Sequence, residues 1–101
     1  MDIVPLNGPE YAGQTTTYTG TAGTVTGWNR SGPGPHGVIV TCTTDAYVRV
    51  GNGVTATSAD YMQPAYQSRT YRIPDQGQRF TVSAIQVSAG GSVYAKPVGG
   101  Q

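Results

Sequence analysis

The sequence predicts an all-β protein: an antiparallel β-sandwich or jelly roll in one small domain, with an extended N-terminal segment. Three observations predict it. Good helix formers are nearly missing, since the 101 residues include one Leu, one Glu and one Lys against fourteen Thr and fifteen Gly. Thr and Val are stiff at the first side-chain torsion and suit strands, and a chain so short of helix formers cannot build a helical bundle. From residue 38 onward, short runs of alternating apolar and polar residues recur with turn residues between them, which is the pattern of a sandwich. The length allows one core and no second domain.

That core is thin. Leu, Ile, Val and Phe together make 17 residues, a fraction low enough to raise the question of disorder. Disorder by that route also needs high net charge, and here it is +1 with 11% charged residues. Seven Tyr and one Trp supply area that the aliphatic count misses.

Taken in order, residues 1–35 read as a Thr/Gly/Pro-rich arm that can add one to three strands, and 36–101 as the sandwich domain. Within the arm, 14–27 is a polar QTTTYTGTAGTVTG run whose glycines weaken any strand. Gly32 to Gly37 marks a loop. Val38, Val40 and Cys42 alternate with Ile39, Thr41 and Thr43, as in a central strand. Thr44-Asp45 turns the chain into a second strand, where Ala46, Val48 and Val50 alternate with Tyr47 and Arg49. Gly51-Asn52-Gly53 ends it with residues that accept positive φ. Val54 to Ala65 reads as loop. Ser68 to Ile73 is a third strand with Arg69, Tyr71 and Ile73 on one face, and Pro74 to Gly77 is a turn. Arg79 to Ser88 is the longest strand. Its apolar phase changes after Val82, from Phe80 and Val82 to Ile85 and Val87, which predicts a β-bulge near Ser83-Ala84 or a change of sheet. Ala89-Gly90-Gly91 turns into a fifth strand, Ser92 to Val98, where Pro97 suits an edge or an end.

The residue inventory argues against an enzyme, and no catalytic, cofactor or metal residue is assigned. One His, His36, and one Cys, Cys42, cannot make a zinc site. Cys42 alternates with valines, as a small buried hydrophobe does, and a single cysteine makes no internal disulfide. No Gly-x-Ser-x-Gly elbow is present. Asp45, Asp60 and Asp75 all fall in turns, where Asp bonds nearby amides. Gly51 to Ala56 matches a permissive dinucleotide fingerprint, but no helical period follows it. Asn29-Arg30-Ser31 matches the glycosylation acceptor pattern, a short match that recurs by chance. Six cations against five acids make no phosphate-binding surface, so nucleic acid is not an expected partner. No run approaches a membrane span, so no membrane partner is expected either. The N-terminus carries no signal-peptide pattern, and nothing in it directs secretion. The aromatics are too many for a small core. Tyr11, Tyr18, Trp28, Tyr61, Met62, Tyr66 and Arg69 are therefore the candidate interface, because Tyr, Trp and Arg dominate binding surfaces.

Four stretches carry a resemblance: VTCTTDAYVRVG from Val40 to Gly51, ADYMQP from Ala59 to Pro64, YRIP from Tyr71 to Pro74, and above all VSAIQVSAGGSVY from Val82 to Tyr94. Over residues 38–98 the chain resembles small virion structural proteins of tailed bacteriophages. The resemblance implies a capsid decoration, or cement, protein on the virion exterior, made in the host cytoplasm. Its implied partners are the major capsid protein and itself, as a dimer or trimer. A tail, collar or fibre-base component is the alternative within that class. A carbohydrate-binding β-sandwich, with Trp28 and tyrosines as stacking platforms, is the alternative outside it.

Overall fold

The computed structural model describes residues 3–5, 12–29, 37–73 and 79–100. Among them lie ten strands and no helix: β1 (Ile3–Pro5), β2 (Gln14–Tyr18), β3 (Gly23–Thr24), β4 (Trp28–Asn29), β5 (Gly37–Cys42), β6 (Ala46–Gly51), β7 (Tyr61–Gln63), β8 (Arg69–Arg72), β9 (Arg79–Gln86) and β10 (Gly91–Gly100). They form two antiparallel sheets packed as a β-sandwich. One sheet runs β1/β2, β10, β5, β8, with β1 and β2 sharing one edge of β10. The other runs β3/β4, β9, β6, β7, with β3 and β4 sharing one edge of β9. β2 packs near β3 and β10 near β9, so the two sheets stack in the same order. The N-terminal strands close one flank, and β7 and β8 form the other.

The alternation read in the sequence places the core. Val38, Val40, Cys42, Val93 and Ala95 face inward from one sheet, and Ala46, Val48, Phe80, Val82 and Ala84 from the other. All are buried. Between them sit Tyr18, Val25, Trp28 and Ile73.

The strand count exceeds expectation in two places. Residues 1–35 supply four strands rather than one to three, and these join both sheets. The boundary between arm and domain falls among residues 30–36, outside the described residues, as does the Gly-Pro loop. The expected loop from Val54 to Ala65 contains β7, which pairs with β6 through Ala46↔Gln63 and Val48↔Tyr61. Pairing supplied what local pattern lacked, since three residues carry too little periodicity to read as a strand.

The bulge lies across from its expected place. β9 runs without interruption in register with β6 from Gln86 to Thr81. On its other edge, Thr24 opposes Ser83 while Trp28 opposes Phe80, so three residues face two. Gly27 ends that insertion at φ +94° with its Cα against Phe80 and Thr81, a conformation and a closeness that favour glycine. The phase change within β9 has another cause. Thr81 and Ser83 point away from the core yet are buried, because the 52–60 connection covers them. Ala56 N–H donates to Ser83 Oγ at 2.9 Å, and Thr81 Oγ1 donates to the Gly51 carbonyl at 2.9 Å. Ile85 continues this outer face, half-buried.

Pro97 sits in β10, a strand paired on both sides, and not on a sheet edge. It is tolerated there because β2 stops at Ala95 and β1 starts at Val98. The alternation along β10 turns the position of the missing N–H toward that gap.

Candidate functional site

The two flanks differ in what they do with aromatic residues. On the N-terminal flank, Trp28 is 3% exposed. Its ring stacks on Phe80 with centroids 5.4 Å apart, and its Nε1–H donates to the Ala12 carbonyl at 2.8 Å. Tyr18 is buried, and its hydroxyl meets the Thr44 carbonyl and Oγ1 at 2.8 Å each. Neither ring reaches the surface, so the expectation of Tyr18 and Trp28 as interface residues is corrected to core. Tyr11 lies outside the described residues, as do His36 and Asp75.

The opposite flank gathers the rest. It is built from β7, the 64–68 connection and β8. Gln63 alternates inward from β7 and is fully buried. A buried amide must find partners or cost on the order of 1–3 kcal/mol per unmet group. Gln63 finds three: its Nε2 donates to the Val40 carbonyl at 2.7 Å and to the Gln67 carbonyl at 2.8 Å, and its Oε1 accepts the Tyr71 hydroxyl at 2.7 Å. This one side chain ties both edge strands and the connection to the centre of the opposite sheet. Burial holds the Tyr71 phenol protonated well above its usual range, so it stays a donor.

The connection is fastened at further points. Ala65 N–H donates to Asp45 Oδ1 at 2.8 Å, Tyr66 N–H donates to the Cys42 carbonyl at 2.8 Å, and the Thr41 and Ser68 hydroxyls meet at 2.6 Å. Tyr66 is held at φ 59°, a left-handed conformation that costs a non-glycine residue about 1–2 kcal/mol. Its side chain is 75% exposed. The backbone is strained, and the ring is left largely in solvent.

On β7, Tyr61 is 51% exposed and meets Tyr71 edge to face at 6.2 Å between centroids. The Arg69 guanidinium lies 5.7 Å from the Tyr61 ring centroid, within cation–π range. Tyr61, Arg69, Thr70 and Tyr71 line an open recess of about 430 Å³. Met62 is exposed on the other face of β7, opposite Tyr47. The structure thus brings Tyr61 and Arg69 together, places Tyr66 in the connection between their strands, and turns Met62 to the reverse face. Sequence reading missed Gln63, Thr70 and Tyr71 as parts of this flank. Tyr71 was legible as an inward residue of its strand, but nothing local marks Gln63 as buried.

Chemically, the recess offers aromatic faces, a phenol donor and a guanidinium. It can hold an apolar or anionic group. Cys42 and Asp60 have structural partners. Burial pushes the Cys42 thiol up to about 11, against a hydrogen bond to Tyr18 that pulls it down, so at neutral pH it is a protonated core residue. Partial desolvation raises the Asp60 carboxyl, but the Thr57 N–H at 2.7 Å and the Arg49 guanidinium at 2.8 Å outweigh it and leave the carboxyl below its usual range. Asp60 therefore shapes its own turn through Thr57, while Asp45 fastens the 64–68 connection through the Ala65 N–H. The Gly51 to Ala56 motif leads into a turn and an irregular segment, not a helix. No group of three or more potential metal ligands occurs among the described residues. Comparison with family models, curated proteins and solved structures finds no match for this chain.

Proposed function

We propose that the chain is a virion structural protein of a tailed bacteriophage, a capsid decoration protein that binds the shell exterior and bridges neighbouring major capsid subunits. The observation that carries this reading is the displayed flank. Tyr61, Tyr66 and Arg69 are the residue types that dominate protein-binding surfaces, and they are presented on β7, β8 and the connection between them, a unit held by five hydrogen bonds through Gln63, Ala65, Tyr66 and Ser68. Ordering a surface before it binds removes part of the entropic cost of association. A protein without a disulfide and with a thin core gains stability from each surface it buries in an assembly. Repetition over a symmetric lattice lets a modest contact per copy suffice. The resemblance over residues 38–98 supplies the particle, and the flank supplies the contact. Self-association as a dimer or trimer belongs to the same reading.

Trp28 is unavailable for stacking, which weakens the sugar-binding alternative at the residue that favoured it most. The test is quantitative mass spectrometry of particles purified from the phage that encodes the chain. A copy number equal to that of the shell protein, or a simple fraction of it, is expected. A few copies per particle would move the protein to tail, collar or fibre base. Absence from the particle would overturn the virion reading.

A further inference from the structure

The edge beside the recess has a property that the reading above does not use. β8 is the last strand of its sheet, and no described strand pairs with its outer edge. The Val40 and Cys42 carbonyls on β5 are directed to the β8 side, where they accept Gln63 Nε2 and Tyr66 N–H. Val40 opposes Arg69 and Val38 opposes Tyr71, so the backbone groups of Arg69 and Tyr71 turn toward β5. Those of Thr70 must then turn outward, beside the recess it lines. Tyr66, bonded to Cys42, continues this edge one step beyond Arg69.

The recess beside this edge carries charge of one sign. Of the residues that line it, Tyr61, Arg69, Thr70 and Tyr71, only Arg69 is charged. Among the described acids, Asp45 takes the Ala65 N–H and Asp60 pairs with Arg49. A second copy of the chain docked edge to edge would bring two Arg69 guanidinium groups and no lining carboxylate onto one ladder, which opposes self-pairing.

We propose that the outer edge of β8 binds an extended, acidic segment of another protein as an added strand, with Thr70 supplying backbone hydrogen bonds and Tyr61, Tyr66 and Arg69 anchoring its side chains. Strand addition draws affinity from main-chain bonds and specificity from pockets that take alternate side chains. The recess between Tyr61, Thr70 and Tyr71 is such a pocket, and Arg69 at its rim matches a carboxylate in bidentate fashion. The fixed left-handed Tyr66 places an aromatic at the end of the ladder, where the added segment leaves it. This inference specifies the ligand of the flank that the proposed function rests on, but it needs no shell, so its failure leaves the particle copy number as an independent result.

The experiment is selection of a displayed library of short random peptides on the purified protein. Enrichment of sequences with repeated Asp or Glu among apolar residues is expected. A selected peptide, made free, should bind R69E and T70P about tenfold or more weakly than wild type. Proline at residue 70 removes only an outward N–H, so T70P should melt within a few degrees of wild type. In amide spectra of the unmodified protein, the peptide should shift Thr70 and its neighbours, a readout that survives if a variant fails to fold. Selection without acidic enrichment, equal affinity for wild type and R69E, or amide shifts confined to another surface would each overturn the proposal.

Discussion

The two flanks of the sandwich face the same task and meet it in opposite ways. Each must close the gap between two sheets at its edge. The N-terminal flank closes with Trp28 and with a side-chain clasp in which Gln14 Nε2 donates to the Gly27 carbonyl at 2.9 Å while Gly27 N–H donates to Gln14 Oε1 at 2.7 Å. Arg79 adds bonds to the Thr26 carbonyl and Asn29 Oδ1. The β7–β8 flank also uses a glutamine, Gln63, but while Tyr71 packs inward against it, Tyr61 and Tyr66 stay outside. The closing chemistry is alike and the fate of the rings differs. Each flank closes with one glutamine, fully buried at Gln63 and half-buried at Gln14, whereas ring exposure is a separate property.

Substitutions test this contrast. The largest effect is expected at Trp28. Trp28→Ala empties the N-terminal flank and should cost about 3–5 kcal/mol, read by urea denaturation followed by circular dichroism. A loss below about 1 kcal/mol would mean that this flank is not core.

Next is Gln63→Leu, which keeps the volume and removes every bond of the amide. The Val40 and Gln67 carbonyls and the Tyr71 hydroxyl lose their partner, at an expected cost of about 1–3 kcal/mol. If Gln63→Leu is neutral, the clasp at the open flank is dispensable and the symmetry between the two glutamines fails.

The third concerns Cys42, between the flanks and under Tyr66. Its thiol is raised from an ordinary 9.0 to about 11 by burial. A raised pKa contributes stability that is full below the unfolded value and is lost as pH rises through the folded one. Stability should thus hold to about pH 9 and fall between 9 and 11, by on the order of 1 kcal/mol at pH 10. Buried Tyr18 and Tyr71, both raised by desolvation, extend the fall above pH 10. Cys42→Ala should flatten the first part of the curve, and native protein should resist iodoacetamide until unfolded. Labelling of the native protein at neutral pH would contradict the buried placement.

The smallest effect is expected at Tyr61. Tyr61→Ala should cost about 1 kcal/mol or less, because half the side chain is already in water. An equal loss for Tyr61→Ala and Trp28→Ala would erase the distinction between a closed and a displayed flank.

Much of the fold was legible because period two survives without context. Val38, Val40 and Cys42, then Ala46, Val48 and Val50, then Val93 and Ala95 alternate along the chain and do the same in the sheets. β7 was not legible. Three residues hold barely one period, and only pairing with β6 makes them a strand. The bulge was read from the wrong side of the ladder, because the phase change in β9 records that both of its faces are covered, the inner one by the opposite sheet and the outer one, at Ser83, by the 52–60 connection. The site was half legible. Composition singled out Tyr61, Tyr66 and Arg69 together with Tyr18 and Trp28, since residue type alone treats a buried ring and an exposed one alike.

The all-β class, the inward faces of the long strands and the positions of most turns are written in the order of residues alone. Those follow from torsional preference and alternation, which act within a few residues. The tertiary structure alone decided which aromatics are buried. Trp28 is core because β4 lies against β9, some fifty residues on, and Tyr18 is core because β2 lies against β10, more than seventy residues on. Tyr66 is displayed because its N–H finds the Cys42 carbonyl across the sheet. Burial is a sum over neighbours that the chain brings together only by folding, so no local reading of residue type could have separated the closed flank from the open one.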